Sequence, residues 1–287
     1  MFVKGVMTAL EKGNVLIRGP PGNAKYVVAH YAARKTADRL GGKVILASGM
    51  HGPMAMRGGL IEAGKNDVVI IQKTEGLKKD EMTFLKESVD RGCAGRIIVV
   101  ASTLHKNINA LKDTLSGIEN LKHLNLTGFS RQDHETLLSF LGFKPMQIAS
   151  VTRAMGPSIN WYPHPSDYVG REVKDADVKE LLSTTPEGAH YTGRLGFSVA
   201  TGVAMMMRGG HEGMVRSLLR KLAESKTEPD LDRVASKLNE PERAVLVSYG
   251  LAAIDPSVHD AEPVMPELTL KILRQIAQIL DIENMHA

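Results

Sequence analysis

Cysteine is nearly absent from this sequence. Cys93 stands alone among 287 residues, which excludes a disulfide framework and a zinc site built from cysteines. The ten histidines are scattered, and the pair His30 and His51 lacks ligand spacing, so no metal centre is expected. Aromatic residues make up 5% of the chain, with one tryptophan, Trp161. No run of eighteen apolar residues occurs, so no membrane-spanning helix is expected. The opening Met1-Phe2-Val3-Lys4 is not followed by an apolar segment and a small-residue cleavage site, so the expectation is a soluble, cytoplasmic protein. Repeats and low-complexity tracts are also missing.

What remains is a chain that is 43% apolar, enough for one large core or two modest ones. Net charge is +4. It is unevenly placed: residues 1–150 hold 21 Lys and Arg against 13 Asp and Glu, and residues 151–287 hold 15 against 19. A basic first half is compatible with nucleotide or nucleic-acid contact, and equally with an ordinary solvated surface.

The most informative segment is Asn14-Val15-Leu16-Ile17-Arg18-Gly19-Pro20-Pro21-Gly22-Asn23-Ala24-Lys25-Tyr26. It reads as a buried strand entering a glycine-rich loop and then a helix. The pattern approaches G-x-x-x-x-G-K-[ST], in which loop N–H groups and the helix N-terminus cradle phosphates and the lysine reaches the outer ones. Gly19, Gly22 and Lys25 stand in place. Ala24 replaces the last glycine, and Tyr26 replaces the small hydroxyl residue that ordinarily holds Mg²⁺.

The rest of the first half alternates strand and helix signals, which predicts an α/β layer with a mostly parallel sheet. Strands are expected at Val15–Arg18, Lys43–Ala47, Asp67–Gln72, Gly95–Ser102 and Leu121–Thr127, with helices at Ala24–Leu40 and Lys79–Arg91. Gly49–Gly64 is rich in glycine and methionine and reads as a loop or broken helix. After Gly128 the strand signals stop. Ser130 with Asp133 forms a capping signature for a helix to about Leu141, and a second helix is expected over Pro145–Met155. Residues 156–175 gather Pro157, Pro163 and Pro165 with Trp161, Tyr162 and Tyr168, and read as a linker. Helices are expected over about 176–183, 192–208, 211–225, 230–238, 240–254 and 266–281.

This order of phosphate loop, helix, strands, short helical segment and helical end resembles the AAA+ superfamily. The layout, with Phe129–Gly142 and the Met155-Gly156-Pro157 turn, is most similar to clamp-loader subunits. The Gly-Pro-Pro-Gly-x-Ala-Lys loop and the Gly49–Gly64 insert are similar to the MoxR and magnesium-chelatase branch. The resemblance implies a five-stranded parallel core over 1–128, a helical lid over 129–160 and an all-helical, collar-like domain over 161–287. It implies ATP held by Gly19, Pro20, Pro21, Gly22, Asn23, Ala24, Lys25 and Tyr26. Ser102, Thr103 or Asn107 would address the γ-phosphate, with Thr103 the chosen candidate, and Arg153 would serve as the lid arginine.

Three catalytic parts of that family are replaced here. Gln72-Lys73 stands where Asp-Glu would hold Mg²⁺, Thr114 stands at the arginine-finger position, and Tyr26 lacks the metal hydroxyl. A lysine at the metal position opposes Mg²⁺ electrostatically. The expectation is therefore a subunit with weak or no ATP hydrolysis and no resident Mg²⁺, in a ring with other AAA+ subunits, acting on DNA and a sliding clamp. The alternatives are a chelatase-like remodelling chaperone acting on a protein partner, and a P-loop scaffold without a motor role.

Overall fold

The computed structural model describes residues 2–21, 24–48, 58–72, 74, 77, 79–91, 95–104, 111, 113, 115, 120–159, 162, 164–183, 186–187, 190–191, 194–225 and 227–280. They form two compact units. The first comprises the described residues of Met1–Gly19 and Lys25–Leu126, the second those of Pro20–Ala24 and Thr127–Ala287.

The first unit is a five-stranded, wholly parallel sheet with helices. Its strands are β1 (Asn14–Gly19), β2 (Val44–Ser48), β3 (Val68–Gln72), β4 (Arg96–Ser102) and β5 (Leu121–Asn125), in the order β2-β3-β4-β1-β5. The α/β class and five-stranded parallel core expected from the sequence are thus observed. The central strands are near-continuous apolar runs because helices cover both of their faces. Val68–Ile71 and Ile97–Ala101 are buried throughout. One face carries Leu16, Val69, Ile71, Val99 and Ala101 in a cluster with Met82 and Leu85 of α3 (Lys79–Asp90). α2 (Ala24–Leu40) buries Val27, Val28, Ala32 and Thr36.

The sequence reading contained no element before β1. The structure has α1 (Phe2–Lys12), which buries Val3, Val6 and Leu10. The Arg96 side chain fixes its end: Nε donates to the carbonyl of Leu10 at 2.8 Å and Nη2 to that of Glu11 at 3.4 Å. A helix leaves its last carbonyls unpaired, and a guanidinium from a neighbouring strand satisfies two of them here.

The second unit is mainly helical. Ser130 caps α4 (Arg131–Phe140) in a full capping box with Asp133, as expected. α5 (Pro145–Met155) has the expected bounds. The stretch read as a linker contains α6 (Pro165–Tyr168), and α7 (Asp175–Leu181) follows. The expectation of an all-helical end needs correction. Two-residue strands β6 (Pro186–Glu187) and β7 (His190–Tyr191) form an antiparallel hairpin, and Ala253 bridges Val264. Strands this short have too little pattern to register in the sequence. α8 (Arg194–Met206) runs through a π-helical segment, Met207–His211, into α9 (Glu212–Glu224). Gly210 takes φ +88° there, which breaks the helix near the predicted position. α10 (Glu228–Ser236), α11 (Glu240–Ser248) and α12 (Glu267–Ile279) complete the unit. α11 ends before the predicted residue 254 because Gly250, at φ +75°, turns the chain.

Candidate nucleotide site

In a parallel sheet the strand ends gather along one edge, and loops leaving that edge form ligand sites. Here the edge brings together Gly19 of β1, Gln72 of β3 and Ser102 of β4. Gly19 pairs with Ser102 in the β1–β4 register. The adjacent Thr103 N–H donates to the Gly19 carbonyl at 2.9 Å, which ties the end of β4 to the start of the loop.

Gly19 has no room for a side chain. A Cβ at this position would lie 2.9 Å from the Leu126 carbonyl oxygen and 3.5 Å from Cδ of Lys25. Lys25 sits in the first turn of α2 and is 4% exposed. Its aliphatic stem therefore folds against the strand end from which the loop departs.

Gly22 and Asn23 lie outside the described residues. Pro20, Pro21 and Ala24 group with the second unit. The two prolines have no N–H, so the donors this loop can offer begin after them, at the turn into α2. Tyr26 is half-buried in that first turn.

Thr103 is the sequence-predicted residue with the most telling environment. Its hydroxyl is shut from solvent and has no hydrogen-bond partner among the described residues. The neighbouring Ser102 hydroxyl accepts from the Leu104 N–H at 3.3 Å. Of the two described γ-phosphate candidates, Thr103 is the one whose hydroxyl makes no hydrogen bond among the described residues; Asn107 lies outside them.

Two further orphaned atoms lie at this edge, one on Gln72, read from the sequence as a replaced metal ligand, and one on Arg18, which the sequence reading did not single out. The Gln72 Oε1 and the Arg18 Nε are both shielded without partners among the described residues. The signal for Arg18 was present, since it is the one charged residue inside an apolar strand directly before the loop. The register places Arg18 opposite Ala101 and Asn125. Next to Gln72, the Thr74 hydroxyl donates to the Val100 carbonyl at 3.1 Å and holds the β3 exit against β4.

These residues suit a phosphate group: a buried lysine, an unsatisfied hydroxyl and an unsatisfied guanidinium nitrogen. They do not suit Mg²⁺, which demands oxygen ligands that usually include a carboxylate. Gln72 offers a neutral amide where a carboxylate is needed. Among the described residues no group of three His, Cys, Asp or Glu is placed to hold a metal ion. Lys73 and Thr114, the other two replaced positions, lie outside the described residues.

Arg153 belongs to the second unit. It is exposed in the last turn of α5 and lines a cavity of about 570 Å³ between α4 and α5, beside the Arg131–Glu135 ion pair. The same unit holds a buried aromatic cluster. Phe129 meets His134 and Tyr162 edge-on, and the His134 and Tyr162 rings stack at 7°. Burial lowers the His134 pKa from 6.5 to about 4 and pushes the Tyr162 hydroxyl well above its usual range.

No protein-family model matches the chain, and no curated protein matches its sequence. Among solved structures, the Thermotoga maritima RuvB Holliday junction branch migration motor aligns at 17% identity over 94% of this chain and 93% of that one, with a TM-score of 0.40. A DNA replication initiation factor aligns at 14% identity over 85% of this chain and 73% of that one, with a TM-score of 0.35. Among the described residues no helix is long and apolar enough to cross a membrane.

Proposed function

We propose that this chain is an AAA+-like nucleotide-binding subunit that holds the phosphates of ATP at Gly19–Tyr26 without a resident Mg²⁺. The observation that supports this reading most is the pairing of a closed Gly19 with the buried stem of Lys25 at the C-terminal edge of a parallel sheet. In this reading the Lys25 ammonium neutralises the outer phosphates and the Thr103 hydroxyl donates to the terminal one. ATP would supply binding energy and a conformational signal. Hydrolysis would be weak or absent, because Tyr26, Gln72-Lys73 and Thr114 remove the metal hydroxyl, the metal carboxylates and the trans-acting arginine. An arginine finger alone is worth roughly 10³–10⁵ in rate.

The wider assignment is a non-hydrolysing member of a cytoplasmic ring with other AAA+ subunits, acting on DNA with a sliding clamp in the manner of a clamp-loader subunit. Residues 1–128 would be the core, 129–160 the lid with Arg153, and 161–287 the collar-like domain. The excess of basic residues in the first half favours a polyanionic partner.

The test is titration of the purified chain with a fluorescent ATP analogue, in EDTA and in Mg²⁺, for the parent and for Lys25→Ala. Saturable binding that is lost in Lys25→Ala supports the site. Absence of binding up to millimolar nucleotide overturns it. Turnover at about 1 s⁻¹ or faster, abolished by Lys25→Ala, would keep the site but remove the non-hydrolysing role.

A further inference from the structure

The far end of the first unit carries a groove that the nucleotide reading does not use. It lies between α1 and β5, has a volume of about 590 Å³, and is walled by residues of these elements and the turn at Asn120. β1 and β5 are parallel, and Leu121 at the start of β5 pairs with Asn14 at the start of β1. The groove is therefore at the opposite end of the strands from Gly19, about 16 Å away over five strand residues.

Three features define its chemistry. Its floor is apolar and half open, from Ala9, Leu121 and Leu124. Its rim is cationic: Lys4 and Lys12 stand two turns apart on one face of α1, and Lys122 faces them from β5, all exposed. Among the described residues none of the three lysines makes an ion pair and no carboxylate lines the groove. The acidic residue of α1, Glu11, is already held by Arg39 at 2.6 Å. The third feature is the strand itself. Among the described residues β5 ends the sheet and pairs with β1 alone, so its outer edge carries backbone groups that a further strand could pair.

We propose that this groove docks an acidic, amphipathic segment of a partner protein, added in extended form along β5. An extended segment presents alternate residues to opposite sides, so one apolar set would fill the floor, while the intervening carboxylates, turned to the other side, would feel the lysine rim through its field within about a Debye length. Charge complementarity sets the sign of the partner, and the apolar floor selects a peptide over nucleic acid. A phosphate backbone would satisfy the lysines but leave the floor unfilled. Gly5 widens the groove: a Cβ there meets nothing within 4 Å.

The experiment is fluorescence anisotropy with a labelled synthetic peptide of about ten alternating leucines and glutamates, against the full chain. The expected result is saturable micromolar binding that weakens with salt. The double variant Lys4→Glu/Lys122→Glu should weaken it by at least about tenfold. Gly5→Leu, which adds a side chain where a Cβ meets nothing within 4 Å, should do the same with unchanged circular dichroism and a thermal midpoint no lower than the parent's. A serine–glutamate peptide of equal charge should bind at least about tenfold less tightly. Absence of binding at millimolar peptide, or binding indifferent to both variants, overturns the proposal. So does an oligothymidylate whose binding the double variant abolishes while the leucine–glutamate peptide fails to bind, which would make the groove a nucleic-acid surface. Nucleotide binding at Lys25 is read separately and is expected to be unchanged in both variants.

Discussion

Lys25 and Gly19 are packed against each other: the Lys25 stem passes 3.5 Å from the point where a Cβ on Gly19 would stand, and the Leu126 carbonyl closes the other side at 2.9 Å. The glycine is therefore required by backbone contact. Gly19→Ala is expected to destabilise the first unit by about 1–3 kcal/mol, the usual cost of overpacking a site whose neighbour is main chain. Urea unfolding of parent and variant checks this. Equal midpoints would show that the end of β1 relaxes freely.

Nucleotide affinity should be nearly independent of Mg²⁺. With Gln72 at the end of β3 in place of a carboxylate, the change between EDTA and Mg²⁺ should stay within about threefold, under ~1 kcal/mol. Gln72→Asp returns a carboxylate to this edge and is expected to introduce a magnesium dependence. The same fluorescent titration reads both. A strong Mg²⁺ requirement in the parent chain would mean that metal ligands come from residues other than Gln72.

His134 should weaken the second unit in mild acid. It is fully buried, and its pKa falls from 6.5 to about 4, chiefly because burial penalises the charged ring. Between these values the unfolded chain takes up a proton that the folded chain refuses. Stability is therefore full above pH 6.5, declines as pH falls through that value, and is lost in full only below about 4. The total is about 3 kcal/mol at 1.36 kcal/mol per unit of pKa. Histidine NMR titration should show one ring that stays neutral at pH 5. A ring set titrating wholly near 6.5 would contradict the burial.

The Tyr162 hydroxyl lies 2.5 Å from Nδ1 of His134, with both side chains buried. Tyr162→Phe keeps the stack and removes that partner, so it should cost about 1–3 kcal/mol, the penalty for leaving a buried polar atom unsatisfied. Thermal unfolding measures it. A neutral result would mean that water or the backbone replaces the hydroxyl.

Gly5 is an exposed helical glycine in α1 with open space where a Cβ would be. Gly5→Ala is expected to stabilise the first unit by about 0.5–1 kcal/mol, because alanine loses less backbone entropy in a helix. Denaturant titration gives the sign directly. A loss of stability would mean that α1 frays in the free protein.

Much of the sheet was legible. Val68–Ile71 and Ile97–Ala101 are unbroken β-branched and apolar runs, and such runs fit strands covered on both faces. Ser130 with Asp133 and Pro145 marked two helix starts because capping is local chemistry. α1 was missed because eleven residues with three buried positions give a short signal, and its end is secured by Arg96, distant in sequence. β6 and β7 were missed because two-residue strands carry no period.

At the candidate site the sequence by itself determined which chemistry was offered: a phosphate-type loop with Lys25, and Gln72 where a metal carboxylate belongs. Spacing and residue type suffice for that, since both are properties of the chain. Only the tertiary structure decided which polar groups have spare hydrogen-bonding capacity. It gave the Ser102 hydroxyl a local partner and left Thr103, Gln72 and Arg18 with shielded atoms that have no partner among the described residues. It also set the lysines of α1 and β5 along one groove, although more than a hundred residues separate them. Burial and pairing across strands depend on which segments become neighbours, and that is fixed by the packing of the whole sheet.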